Sequence, residues 1–173
     1  LRFCDRIAVV DKGHILEIDS GQELVNDPRS EAALKLSGCK NAVSAEKSDS
    51  HEVYIPSWGV HVHTQREVPD DVKYLGVRAF YIERADGPGM NNYHVRVDRI
   101  SDSRFERSVL LGFLDREEGA AEEVSREDNE MRFLHQHIFW RVNTLNMSED
   151  ALPYVGEDLW IHIPEDNVYL VSR

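Results

Sequence analysis

In RIAVVDKGHILEI (6–18) two apolar runs flank Asp11-Lys12-Gly13, a spacing that predicts a β-hairpin with a tight turn. The period changes in DSGQELVNDPRSEAALKLSG (19–38). Ser20 is placed to cap a short turn holding Glu23, Leu24 and Val25, and Asp27 with Pro28 reads as the N-cap and first position of a second helix. Ala32, Ala33 and Leu36 would form that helix's apolar stripe, and Gly38 its stop. After Asn41 the pattern becomes short alternating segments. HEVYIPSWGVHVHTQ (51–65) alternates around Trp58-Gly59, and VKYLGVRAFYIERA (72–85), NYHVRVDRISDSRFERSVLLGFL (92–114), MRFLHQHIFWRVNTL (131–145) and DLWIHIPEDNVYLVSR (158–173) are strand-rich. SEDALPYV (148–155) predicts one short helix capped by Ser148. Short strands between turn signals predict a mainly β fold, a small antiparallel sandwich or barrel over 42–173. A hairpin-plus-helix unit over 1–41 precedes it, with the boundary between Gly38 and Asn41.

Composition narrows the function classes. With 41% hydrophobic and 30% charged residues, the 173-residue chain has the balance of a globular protein rather than a disordered one. No apolar run approaches the roughly 18 residues a membrane-spanning helix needs. The formal net charge of -12 repels nucleic-acid phosphate and anionic lipid unless a basic patch overrides it, and no such patch is evident. Residues 115–130 hold eight acids against two bases and have no hydrophobic period, which predicts a solvated loop. The two cysteines, Cys4 and Cys39, lack a CxxC spacing and read as reduced thiols of a cytosolic protein.

CDRIAVVDKGHILEIDSGQELVNDPRSEAALKLSGCKN (4–41) resembles the last segment of an ABC-transporter ATPase domain: a strand reading like DRIAVVDKG, a hairpin and turn, then a helix opening at a proline. Its EIDSGQEL stretch departs from the tighter E.G spacing common in that family. YLGVRAFYI and LPYVGEDLWIHIPEDNVYLVSR resemble strands of the OB-like TOBE/MOP-type regulatory barrel that many importer ATPases carry. LSGCKN with VYIPSWGVHV is most similar to the molybdate/tungstate type. The resemblance implies a fold of OB-like antiparallel barrel behind a short α/β remnant of an ATPase domain. The chain would then be the tail of a longer ATPase, with the switch histidine upstream of Leu1.

That reading has consequences for chemistry. The sequence has no GxxxxGK[ST] loop (Walker A) to cradle phosphates and no acid-terminated apolar strand (Walker B) to hold Mg²⁺. LSGCK (36–40) only superficially matches the ABC signature LSGGQ. No ATP hydrolysis is expected of this chain; ATP and Mg would belong to the full-length parent, and this part would carry no cofactor. Expected partners are a second copy of the subunit, membrane permease subunits reached through the missing ATPase domain, and molybdate or tungstate. Nucleic acid is not expected. The location implied is cytoplasmic, peripheral on the inner face of the membrane. The function implied is a regulatory, dimer-contact domain that senses a cytoplasmic oxyanion. The alternative is a purely structural dimerisation or protein-docking domain with no small-molecule site. Sulfate, sugar and polyamine importers use related domains, so the solute stays open.

Several constellations are candidates for a site. A tetrahedral oxyanion is well held by turn amides together with Ser, Lys or Arg donors. Ser37, Lys40 and Asn41 surround a flexible glycine, and by resemblance they stand in for the Ser-Ala-Arg-Asn stretch of molybdate-binding domains. Gly-Cys in place of the single Ala puts that spacing one residue off, and Lys is a poorer fork than Arg. Arg78, in GVRA, is a second donor; otherwise these residues cap a helix and pair structurally. His61/His63 and His135/His137 each alternate on a strand and together have the donors of a four-histidine metal site, but nothing in the sequence makes those strands neighbours. Solvent-facing histidines and no metal are therefore expected, with His94 and His162 in the same class. Cys39 beside Lys40 lacks a placed His–Asp partner, so no catalytic residue is assigned. Glu117, Glu118, Glu122 and Glu123 fall in the acidic stretch and read as solvated. Trp58, Trp140, Trp160, Phe80, Tyr81, Phe133 and Phe139 read as barrel core rather than as a base-stacking platform.

Overall fold

The computed structural model describes residues 5–117 and 129–173. Strands β1 (Ile7–Asp11) and β2 (His14–Asp19) form an antiparallel hairpin with Asp11 opposite His14. Lys12 and Gly13 both have positive φ, 48° and 79°, as the tight two-residue hairpin turn requires. Ser20 then caps helix α1 (Gly21–Asn26). Its hydroxyl accepts the Glu23 N–H while the Glu23 carboxylate accepts the Ser20 N–H, a reciprocal capping box.

Helix α2 (Glu31–Leu36) starts later than Pro28 predicts. Ser30 rather than Asp27 is the N-cap, accepting the Ala33 N–H, and Asp27 closes α1 instead. Of the expected stripe, Ala33 is buried and Ala32 partly so, but Leu34 takes the inward place expected of Leu36, which is 70% exposed. Gly38, at φ 89°, ends α2 as its position predicts. Its N–H donates to Lys35 O and the Cys39 N–H donates to Leu34 O, the paired bonds of a Schellman stop.

The strands that follow are β3 (Asn41–Ser44), β4 (Glu46–Asp49), β5 (Glu52–Ile55), β6 (Val60–His63) and β7 (Tyr74–Val77). Next come β8 (Glu83–Ala85), β9 (Asn92–Asp102), β10 (Glu106–Phe113), helix α3 (Asn129–Gln136), β11 (His137–Asn143), β12 (Asp158–His162) and β13 (Val168–Val171). They make a five-stranded sheet in the order β11-β10-β9-β12-β8 and two three-stranded sheets, β13-β7-β3 and β4-β5-β6. Every pairing is antiparallel. α3 corrects the strand reading of 131–136: regular alternation begins only at His137. SEDALPYV contains a single 3-10 turn, Glu149–Ala151, after Ser148.

One core joins the three sheets because alternate residues of each strand face inward, for example Val53 with Ile55, Val95 with Val97 and Ile161 with Ile163. Trp58 is fully buried and stacks on Phe113 at 5.2 Å, and Trp140 donates its indole N–H to Ile82 O. Phe80 and Tyr81, expected in the core, lie exposed on a one-turn 3-10 helix, Ala79–Tyr81. The hairpin-and-helix segment docks on the barrel through Leu34, which lies against Gly76 of β7. A Cβ at Gly76 would come within 2.8 Å of a Leu34 methyl, so only glycine lets the helix approach this closely. Among the described residues no helix is long and apolar enough to cross a membrane.

Candidate functional site

The junction between helix and barrel gathers the four sequence-selected residues at one end of the β3–β7 pair, where Asn41 lies opposite Val77. Arg78 follows β7 directly and is only 6% exposed. Its guanidinium donates to Val25 O at 2.7 Å, to Ser37 O at 3.0 Å and to Ser37 Oγ at 3.1 Å, while Nε donates to the Tyr169 hydroxyl at 3.3 Å. Ser37 and Arg78 are thus brought together, but on each other. The guanidinium ties both helices of the segment to the barrel, and its planar fork is what allows several acceptors to be met at once.

Asn41 is likewise committed. At 2% exposure, its side-chain oxygen accepts the Phe139 N–H at 2.7 Å and its amide donates to Phe139 O at 2.8 Å. The side chain takes the place of a neighbouring strand on the outer edge of β11. Lys40 points the other way, its Nζ 5.8 Å from the centroid of the Phe139 ring. The structure therefore splits the four candidates: Ser37 with Arg78 on one side, Lys40 with Asn41 on the other.

On the Lys40 side a pocket of about 150 Å³ opens between α2, β3, α3 and β11, lined by Lys35, Lys40, Asn41, His135, His137 and Phe139 among others. Lys35 is paired with Glu31 at 2.6 Å, one turn back on the helix. His137 faces the Asp98 carboxylate with Nε2 at 2.7 Å and Phe133 O with Nδ1. Gly112 makes room for that pair, since a Cβ there would lie 2.6 Å from Asp98 Oδ2. Of the two lysines at this pocket, Lys35 is thus neutralised by Glu31, which leaves Lys40 as the one that faces the Phe139 ring, in a chain of net charge -12.

Cys39 is buried beneath this junction, 4% exposed, with Sγ 3.4 Å from Asn41 O. Burial pushes its thiol up, against the smaller opposing pull of Arg78. A thiol that is both covered and protonated is a poor nucleophile. Titration of a Cys4→Ser variant with Ellman's reagent at pH 8 is expected to show native Cys39 reacting at least about a hundredfold more slowly than in urea. Comparable rates in the two states would contradict this.

No family model matches the chain, and no curated protein matches it. Among solved structures, the chain is similar to a crystal structure of the cytoplasmic molybdate-binding protein ModG with molybdate bound. The TM-score is 0.50 at 14% identity, over 79% of this chain and 98% of that chain. The fold is OB-like. Its curled antiparallel sheets are of the TOBE/MOP type, the mainly β architecture the alternating segments predict. At this identity the likeness speaks to the fold alone.

The remaining candidates fall elsewhere on the OB-like barrel. His61 and His63 share one face of β6, with His61 Nε2 2.8 Å from Glu117 and His63 Nε2 3.6 Å from Glu165. His135 lies in the last turn of α3 while His137 begins β11, so the second pair does not sit on one strand as expected. Among the described residues no three His, Cys, Asp or Glu side chains are placed to hold a metal ion. His94 stacks on Trp160 at 4.8 Å, and His162 Nδ1 faces the Asn92 side-chain oxygen at 2.7 Å. Cys4, Glu118, Glu122 and Glu123 lie outside the described residues. Sequence reasoning missed Lys35, Tyr169 and Phe139 as members of the junction. Lys35 was within reach, five residues before Lys40; the other two are distant in sequence and carry no local signal.

Proposed function

We propose that this chain is the regulatory, dimer-contact C-terminal part of an ABC importer ATPase subunit, and that it senses a tetrahedral oxyanion of the molybdate or tungstate class. The observation that carries the reading is the Arg78 clamp. A regulatory barrel must be mechanically joined to the unit it regulates, and Arg78 binds the barrel to Val25 and Ser37 of the segment that resembles the ATPase tail. The likeness in fold to a molybdate-binding protein supports the ligand class. Because Arg78 and Asn41 are spent on internal bonds and Lys35 is paired with Glu31, Lys40 supplies the charge at the small pocket, with the Cys39–Asn41 backbone beside it. A ligand held there regulates only through its differential affinity for two arrangements of a dimer. The parent would hydrolyse ATP with Mg²⁺ and meet the permease at the cytoplasmic face of the membrane; this part would perform no catalysis.

Thermal unfolding with molybdate, tungstate or sulfate at matched ionic strength tests the sensor. Ligand at about 100 times its dissociation constant adds about 2.7 kcal/mol, on the order of 5–10 °C in a domain of this size. Molybdate and tungstate are expected to raise the midpoint, sulfate not, and Lys40→Ala to remove the rise. A second reading, a docking or dimerisation spacer without a ligand, has its own support in the apolar hairpin face, where Val10, Ile15 and Ile18 are exposed. The absence of any anion shift would favour it.

A further inference from the structure

At the far end of the five-stranded sheet a cavity of about 700 Å³ opens between the turn joining β9 to β10, the end of β11 and the 3-10 turn Ala79–Tyr81. That volume lies within the range of small-molecule sites. Three large apolar side chains stand exposed around it: Phe80 at 54%, Phe105 at 55% and Leu145 at 69%. Each sits on backbone that is pinned rather than free to fold inward. Phe105 tops a turn closed by Ser103 N–H and Oγ donating to Glu106 O, and Phe105 O accepts the Thr144 N–H. Leu145 N–H donates to the Asn143 side chain, and Phe80 is packed against Tyr81 at 4.6 Å in a turn closed by the Tyr81 N–H on Arg78 O. Apolar surface held open in this way is preorganised in its backbone, so that part of the ordering cost does not fall on binding.

The charge on this cavity has the opposite sign to that of the protein. Arg104 places its guanidinium 5.8 Å from the Phe105 ring and has no carboxylate partner among the described residues. Arg141 lines the same space; its buried Nε finds no hydrogen-bond partner, although Glu106 Oε2 stands 3.4 Å away. Two guanidinium groups against one carboxylate leave a local excess of positive charge beside aromatic faces. That combination is complementary to a flat apolar body carrying one negative head.

We infer that this cavity is a binding site for an amphiphilic organic anion, an aromatic or branched apolar body with a single carboxylate, sulfonate or phosphate. The body packs between Phe105, Phe80 and Leu145, and the head is met by Arg104 and Arg141. The site is separate from the Lys40 pocket and takes a ligand of different chemistry.

The test uses anilinonaphthalene sulfonate, a fluorescent aromatic anion, titrated into the protein, with N-phenylnaphthylamine as the same rings without the charge. Saturable one-to-one binding is expected, weakened about tenfold by Phe105→Ala and by Arg104→Ala, as loss of a buried aromatic contact or a charged partner predicts. The neutral dye should bind wild type about as weakly as the sulfonate binds Arg104→Ala. Arg104 is exposed, so that variant is expected to keep the wild-type melting midpoint and to report binding alone. No saturable binding, binding unchanged in both variants, or equal affinity for the neutral dye would each overturn the proposal.

Discussion

Replacing Arg78 by alanine is expected to cost about 3–5 kcal/mol, a fall of about 6–20 °C in melting midpoint. The magnitude follows from what is left behind. Val25 O, Ser37 O and Ser37 Oγ lie in a part-buried space and lose charge-assisted donors together, and the Tyr169 hydroxyl loses its contact with Nε. The losses do not add fully, because relaxation of one helix relieves several of them at once. Arg78→Lys should fall between, since a single ammonium cannot reach acceptors that the fork spans. A loss below about 1 kcal/mol would mean that the helices stay docked through their other contacts, Leu34 on Gly76 and Glu31 N–H on Arg173 O among them, and the mechanical part of the proposed regulation would go with it. The measurement also protects the anion experiment: failure of Arg78→Ala to respond to molybdate says nothing about ligand contact until its stability is known.

How much of this was legible follows the range of each interaction. The hairpin was readable because Lys12-Gly13 settles its own turn, and the Ser20 cap because the hydroxyl and the amide it accepts are three residues apart. The β architecture was readable because alternation repeats strand after strand. The misreadings have equally physical causes. Pro28 is compatible with a helix start but does not enforce one, and Ser30, two residues on, supplies a better cap hydroxyl. Phe133, His135 and His137 alternate as a strand would, so the helical stretch before His137 had no distinguishing pattern. At the junction, Ser, Lys, Asn and Arg are donors in any environment. What the sequence could not say was that Asn41 and Phe139, 98 residues apart, and Arg78 and Tyr169, 91 apart, would meet and use those donors up. Polar residues in a turn carry the same letters whether they await a ligand or satisfy the backbone.

Asn41 is where those two roles can be separated. Asn41→Ala is expected to destabilise the protein by about 2–3 kcal/mol in urea unfolding, because Phe139 N–H and C=O each lose their partner at the edge of β11. Water entering from the adjoining pocket recovers part of the desolvation cost, which keeps the figure below that for Arg78. Asn41→Asp should be at least as damaging, since it keeps the acceptor for Phe139 N–H but sets a carboxylate oxygen against Phe139 O. Hydrogen exchange gives the local readout: the Phe139 amide should lose protection in Asn41→Ala, while amides of β9, in the middle of the sheet, fall only as far as global stability does. Unchanged Phe139 protection would show that the edge is closed without Asn41. Stability lost with the molybdate response retained assigns Asn41 to the fold, where its two bonds already put it. The response lost at full stability would return Asn41 to the anion site, as a donor that leaves Phe139 when the ligand arrives.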